Sequence, residues 1–316
     1  MQELPQVLAT SVVRSTQQGE SHGGVYLVDL STGDRELLKD WDDPSINWEG
    51  RGADRGLRGI AFYDELILLA ASDELFIYDR SFNIVDSYRN AYLKHCHEIH
   101  RENETLWLTS TGFDCVLGFD LRAGRFSIAY HFVAAYPNRG VKRLPAYSAR
   151  AFDPRQSDGP HIGDSIHLNA VWTHEGVLLS SGTQLRHILA IVDSQVRTFA
   201  RIPRGTHNAR PFRDGILVNH TATNRLAFLS RRGRVRKSFP IKIYPDWELT
   251  HASLSADHAR QAFGRGLCTW SDRVVIGGSS PATVSAFDFD TGELLTRVNL
   301  TMDVRNAIHG LEVWPF

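Results

Sequence analysis

The last stretch of the chain, Ile308-His309-Gly310-Leu311-Glu312-Val313-Trp314-Pro315-Phe316, decides how the rest is read. It runs from a basic residue through a small and an apolar one to an aromatic five positions after the start. With some exchange at the middle places, the pattern recurs. Arg58-Gly59-Ile60 leads to Tyr63, His167-Leu168-Asn169 to Trp172, His207-Asn208-Ala209 to Phe212, and Arg265-Gly266-Leu267 to Trp270. His97-Glu98-Ile99 fits too, with Glu102 in the aromatic place. Six openings that each start with His or Arg imply six repeats of one unit. They read as the innermost strands of six β-propeller blades, with the leading side chains in a ring around the axis.

The intervening sequence supports this. Gly59 to Tyr88 reads as four strands, Gly59-Phe62, Leu66-Ala70, Glu74-Asp79 and Ile84-Tyr88. Ile99 to Tyr130, Asn169 to Ile202, Ala209 to Ile241 and Leu267 to Leu300 repeat the plan, with short β-rich runs and Gly/Asp turns such as Asp288-Phe289-Asp290-Thr291-Gly292. Repeats of about 30 to 40 residues built this way mark a propeller rather than a helical solenoid, whose i, i+3, i+4 apolar spacing is rare here. Gln6 to Trp41 holds only three strands, and the missing inner one is Gly310 to Pro315. The fold expected is therefore all-β: one six-bladed domain over 1-316, closed by pairing the C-terminal strand with the N-terminal strands, which removes an open sheet edge. A β-sandwich is the rival, and it leaves the match between the final strand and five internal ones unexplained.

Composition narrows the partners. A formal net charge of -1 gives no reason to expect nucleic acid or an anionic membrane surface. No apolar run approaches a membrane helix, and Met1 to Thr16 lacks a basic, then apolar leader. The three cysteines, Cys96, Cys115 and Cys268, have no CxxC spacing and suit free thiols in a reducing, cytoplasmic setting. Fourteen histidines is high for this length, and four of them occupy the repeated ring position.

That ring reads Arg58, His97, His167, His207, Arg265, His309. Converging neutral imidazoles suit a divalent transition metal, Fe(II) first, with Zn or Mn as alternatives, on His97, His167, His207 and His309. His309 is either the fourth ligand or a group for the substrate. Arg58 and Arg265 carry permanent charge and suit the carboxylate, sulfonate or phosphate of a small anionic substrate. Glu98, Glu312 and Asp164 are candidates to support the imidazoles, with a solvated or blade-packing carboxylate as the alternative for each. Satisfied core histidines are the bland alternative, and a metal-free ring would still attract anions. The long connections Trp41 to Leu57, His131 to Ile166 and Lys242 to Gly264 all enter the ring face and are expected to cover it; within the third, Ser255 to Phe263 reads as a short helix. His251 and His258 in that loop are exposed candidates for acid–base groups. The aromatics at ring+5 read as packing between blades.

The openings Asp164-Ser165-Ile166-His167-Leu168-Asn169, Thr206-His207-Asn208-Ala209-Arg210-Pro211 and Gly264-Arg265-Gly266-Leu267 resemble a bacterial six-bladed propeller family of unknown function. The resemblance covers about the second half of the chain; it implies the fold and brings no activity. The four-His ligand set is similar to the iron site of carotenoid-cleaving oxygenases, as an analogy of ligands. The Glu, Asn and Asp ligands of gluconolactonase-type propellers are absent from the ring. Three functions follow as expectations: oxygen-dependent oxidation of a small anion at iron, Lewis-acid lyase, isomerase or hydrolase chemistry, or non-catalytic binding of an anion or a protein.

Overall fold

The computed structural model describes residues 3–17, 19–42, 56–135, 146–193, 195–256 and 260–316. Its six antiparallel sheets each have an inner strand that contains a ring residue or begins within two residues of one. The inner strands are Asn306–Val313, Ile60–Tyr63, Ile99–Glu102, Leu168–His174, Thr206–Phe212 and Leu267–Trp270, and they define blades one to six in that order. Blade one is completed by Gln6–Val13, which pairs with Asn306–Val313 in the register Leu8↔Glu312 and Thr10↔Gly310. The closure inferred from the last nine residues is therefore the one the chain makes.

Alternation along each strand explains where the core lies. Inward and outward side chains on a sheet face neighbouring sheets, so a ring of sheets buries both faces of its middle strands. Glu74–Tyr78 and Thr283–Asp288 are buried at every residue, whereas the outermost Ile84–Arg89 is almost wholly exposed. The apolar side chains segregate into six clusters, one per interface between blades. Tyr63, Trp172, Phe212, Trp270 and Trp314 each belong to a different one.

Glycine at the second place of the opening pattern also has a cause. At the axis the inner strands approach closely, and a Cβ on Gly310 would sit 1.9 Å from the Arg58 carbonyl oxygen. One on Gly59 would sit 2.6 Å from the Ile99 amide nitrogen. The Gly310 N–H instead donates to Thr10 Oγ1 at 2.8 Å, and that hydroxyl donates to the Arg58 carbonyl. This tie joins the two ends of the chain to blade two.

Two local expectations are corrected. The long His131 to Ile166 connection holds regular structure: Ala146–Phe152 is a fifth strand on blade three. It pairs with an outer strand that runs on to Ala135. Its alternation is real: Tyr147 and Ala149 pack on the interface between blades three and four, while Phe152 turns to the other face and meets Tyr92. The expected helix over Ser255 to Phe263 is turn or irregular at its described ends, and its middle, with His258, lies outside the described residues. Most of the Trp41 to Leu57 connection, and Tyr136 to Pro145, lie outside them as well. Among the described residues, no helix is long and apolar enough to cross a membrane.

Candidate functional site at the propeller axis

The ring residues stand at the mouth of the axis because each lies in an inner strand or within two residues of its start. A cavity of about 410 Å³ opens there, lined by Arg58, His97, His167, Arg265 and His309 together with Arg14, Thr111 and Asp164. Five of the six ring side chains thus meet in one space. The sixth, His207, is buried behind Phe263, 5.4 Å from it between ring centroids, and its Nε2 has no hydrogen-bond partner among the described residues.

His167 is placed with the most care. Its backbone is in the left-handed region (φ 54°), an unfavourable conformation for a histidine that neighbouring groups must hold. Asp114, buried on a turn of blade three, provides the hold. Its carboxylate accepts the N–H groups of Ser165 (2.7 Å), Ile166 (3.1 Å) and His167 (3.0 Å), and the Ser165 hydroxyl at 2.8 Å. Asp164 then accepts from His167 Nδ1 at 2.9 Å, which leaves Nε2 for a ligand.

His97 and His309 are set against the arginines. The His97 Nδ1–H donates to the His95 carbonyl at 2.8 Å, and Thr111 Oγ1 lies 2.9 Å away. A carbonyl only accepts, so Nδ1 bears the proton and Nε2 a lone pair. Arg58 Nη1 lies 3.4 Å from that Nε2, and Arg265 Nη1 lies 3.0 Å from Nε2 of His309. Burial, followed by the guanidiniums of Arg58 and Arg265, holds His97 well below the ordinary imidazole range. Burial and then Arg265 do the same for His207 and, with Arg58, for His309. The guanidiniums of Arg14 and Arg265 lie 4.5 and 4.7 Å from the Phe263 ring centre, so one aromatic ring supports two cations at the cavity edge.

Glu98 lies elsewhere. Strand neighbours point to opposite sides, and Glu98 faces down the channel rather than toward a ring imidazole. Its Oε1 is 3.6 Å from Arg210 Nη2, which donates to Glu312 Oε1 at 2.8 Å. Burial pushes the Glu98 carboxyl up to about 7 against the pull of Arg210, with Glu312 adding to the rise. His251 pairs with Asp303 at 3.2 Å, away from the cavity. All three cysteines are free and buried. Among the described residues, no three His, Cys, Asp or Glu side chains are grouped closely enough to hold a metal ion together.

Sequence reasoning missed Arg14, Asp114, Phe263 and Arg210. Arg14 follows the second strand of blade one, and Asp114 lies on a turn of blade three, so neither occupies a repeated position. Phe263 sits two residues before a ring arginine in a loop. Arg210 did carry a signal: it is three residues after ring position His207, as Glu312 is after His309, and both face the axis one layer further in.

Fold and site define a six-bladed β-propeller with a cationic axial mouth. No family model and no curated protein matches the chain. Among solved structures it is similar to a protein of unknown function from Bacteroides caccae, at 10% identity and TM-score 0.58, covering 98% of each chain. This agrees with the resemblance to a propeller family of unknown function. A chain of the nidogen/laminin complex matches at 10% identity and TM-score 0.58, over 98% of this chain and 97% of that one. Virginiamycin B lyase from Staphylococcus aureus matches at 11% identity, over 81% and 73%, with a TM-score of 0.47, too low to carry an argument. At these identities the shared property is the fold.

Proposed function

We propose that the protein captures a small carboxylate- or phosphate-bearing molecule in the axial cavity. The observation that carries this reading is three guanidiniums, Arg14, Arg58 and Arg265, lining one 410 Å³ space in which the one carboxylate among the described lining residues, Asp164, is already paired with His167. Guanidinium forks match the two-oxygen geometry of carboxylate and phosphate. With Nδ1–H donated to Asp164, a neutral His167 presents the Nε2 lone pair as a base, so lyase or isomerase chemistry that takes a proton from the held anion is the catalytic form of the reading. Calorimetric titration with a panel of small mono- and dicarboxylates and phosphate esters tests it. The wild type should bind at least one of them saturably, and Arg265→Gln should weaken that binding by about 10- to 100-fold. A panel that gives no saturable binding, or an Arg265→Gln variant that binds as the wild type does, overturns the reading.

A second reading keeps a divalent metal, Fe(II) or else Zn or Mn, on His97, His167, His207 and His309. It is supported by the His97 Nδ1–H held on a carbonyl, the arrangement that presents Nε2 to a metal, and by the buried Nε2 of His207, which has no hydrogen-bond partner among the described residues. It needs Arg58 and Arg265 to turn from the two imidazoles they face. A bound metal would supply redox chemistry with oxygen if iron, or Lewis-acid polarisation if zinc or manganese. Elemental analysis of untagged protein decides: near-stoichiometric metal lost in His167→Ala supports this reading, and metal-free protein that still binds anions removes it.

A further inference from the structure

At the other end of the inner strands the channel carries carboxylates as well as guanidiniums. It narrows to about 10 Å³ between Glu98, Asn208, Arg210 and Glu312, then opens into a cavity of about 230 Å³ bounded by Ile60, Phe62, Ile99, Trp172 and Glu312, with His100 and Arg101 at its side. Two carboxylates, Glu98 and Glu312, share a single buried guanidinium, Arg210, which spends its Nη2 on Glu312 at 2.8 Å and lies 3.6 Å from Glu98. Glu98 is more than nine-tenths buried, and its Oε2 has no hydrogen-bond partner among the described residues. A buried carboxylate oxygen without a donor is costly and calls for one. Trp172 is held rigid against His100, 3.8 Å between ring centroids, and the Arg210 guanidinium, 4.4 Å from its ring centre. His100 is fixed in turn by Thr173 at 2.9 Å.

We infer that this lower cavity is a second ligand site, for a small organic cation whose ammonium group reaches Glu312 and Glu98 and whose hydrocarbon portion packs on Ile60, Phe62 and Ile99. The apolar wall favours an amine with a short alkyl stem over a bare metal ion, and the carboxylates of Glu312 and Glu98 select charge over neutral alcohols. The site does not depend on the upper anion site: the narrow neck between them lets each be tested alone.

Titration calorimetry with n-butylammonium, with n-butanol as the neutral isostere, tests the inference. The wild type should bind butylammonium saturably and butanol at least about tenfold more weakly, because a charge-assisted bond is lost. Glu312→Gln and Glu98→Gln should each reduce amine affinity by about tenfold or more, while Arg265→Gln, in the other mouth, leaves it unchanged. Should Glu98→Gln fail to fold, Glu312→Gln, which is partly exposed, decides. Absence of saturable amine binding, equal binding of butanol, or wild-type affinity in Glu312→Gln overturns the proposal.

Discussion

Each ring histidine is tuned by its immediate neighbours. His97, His207 and His309 are kept neutral by burial and facing guanidiniums, so their native pKa values lie below those of the unfolded chain. Between the unfolded value of about 6.5 and their depressed native values, these three groups bind more protons in the unfolded state and lower stability as pH falls, opposed in part by Glu98, whose raised carboxyl pKa acts the other way. Urea midpoints should therefore drop between pH 7.5 and 5.5, and the slope should shrink in His207→Gln. A slope left unchanged by His207→Gln would contradict the assignment. At this scale the sequence told the residue types and their common position, because repetition reveals position. It told nothing of Asp114, whose four accepted hydrogen bonds place His167, since its partners lie about fifty residues away and only the folded ring joins them.

The strands were legible wherever they repeated and were misread where the repeat was broken. Ala146–Phe152 belongs to no four-strand plan, is flanked by prolines in the sequence, and exposes most of its residues, so its period-2 pattern carries little apolar contrast. What fixes it to blade three is pairing with Arg125–Ala135 and the anchor of Phe152 beside Tyr92, 5.0 Å between ring centroids. Phe152→Ala should cost about 3 kcal/mol of stability, the usual range for removing a buried phenyl ring. Ala146→Gly, at the exposed far end, should cost less than about 1 kcal/mol. Chemical denaturation of both variants measures the difference, and equal effects would show that the fifth strand is not anchored through Phe152.

For the molecule as a whole, stability depends on closing the ring. The final nine residues revealed the closure, because the first blade lacked the strand they supply. Gly310 lies at the point of closest approach, with a Cβ position 1.9 Å from the Arg58 carbonyl oxygen. Gly310→Ala should destabilise the protein by about 3 kcal/mol or more, since backbone rather than a flexible side chain must move. Gly292→Ala, at a turn with φ +79° and open space around it, should cost only the left-handed strain of about 1 kcal/mol. Similar losses in the two variants would argue against a tight axial seam. Closure also matters for the site: five ring side chains from five blades line the mouth, and they meet only if the ring is complete.

The most direct test of that mouth is a crystal of the full chain soaked in 4-bromobenzoate, whose aryl bromine does not alkylate imidazole, and measured at the bromine edge. An anomalous peak inside the axial cavity, with carboxylate density within hydrogen-bond distance of Arg58 or Arg265, is the expected result. Bromine confined to the outer surface, with the cavity holding a metal bound to the imidazoles or no carboxylate at all, would contradict it.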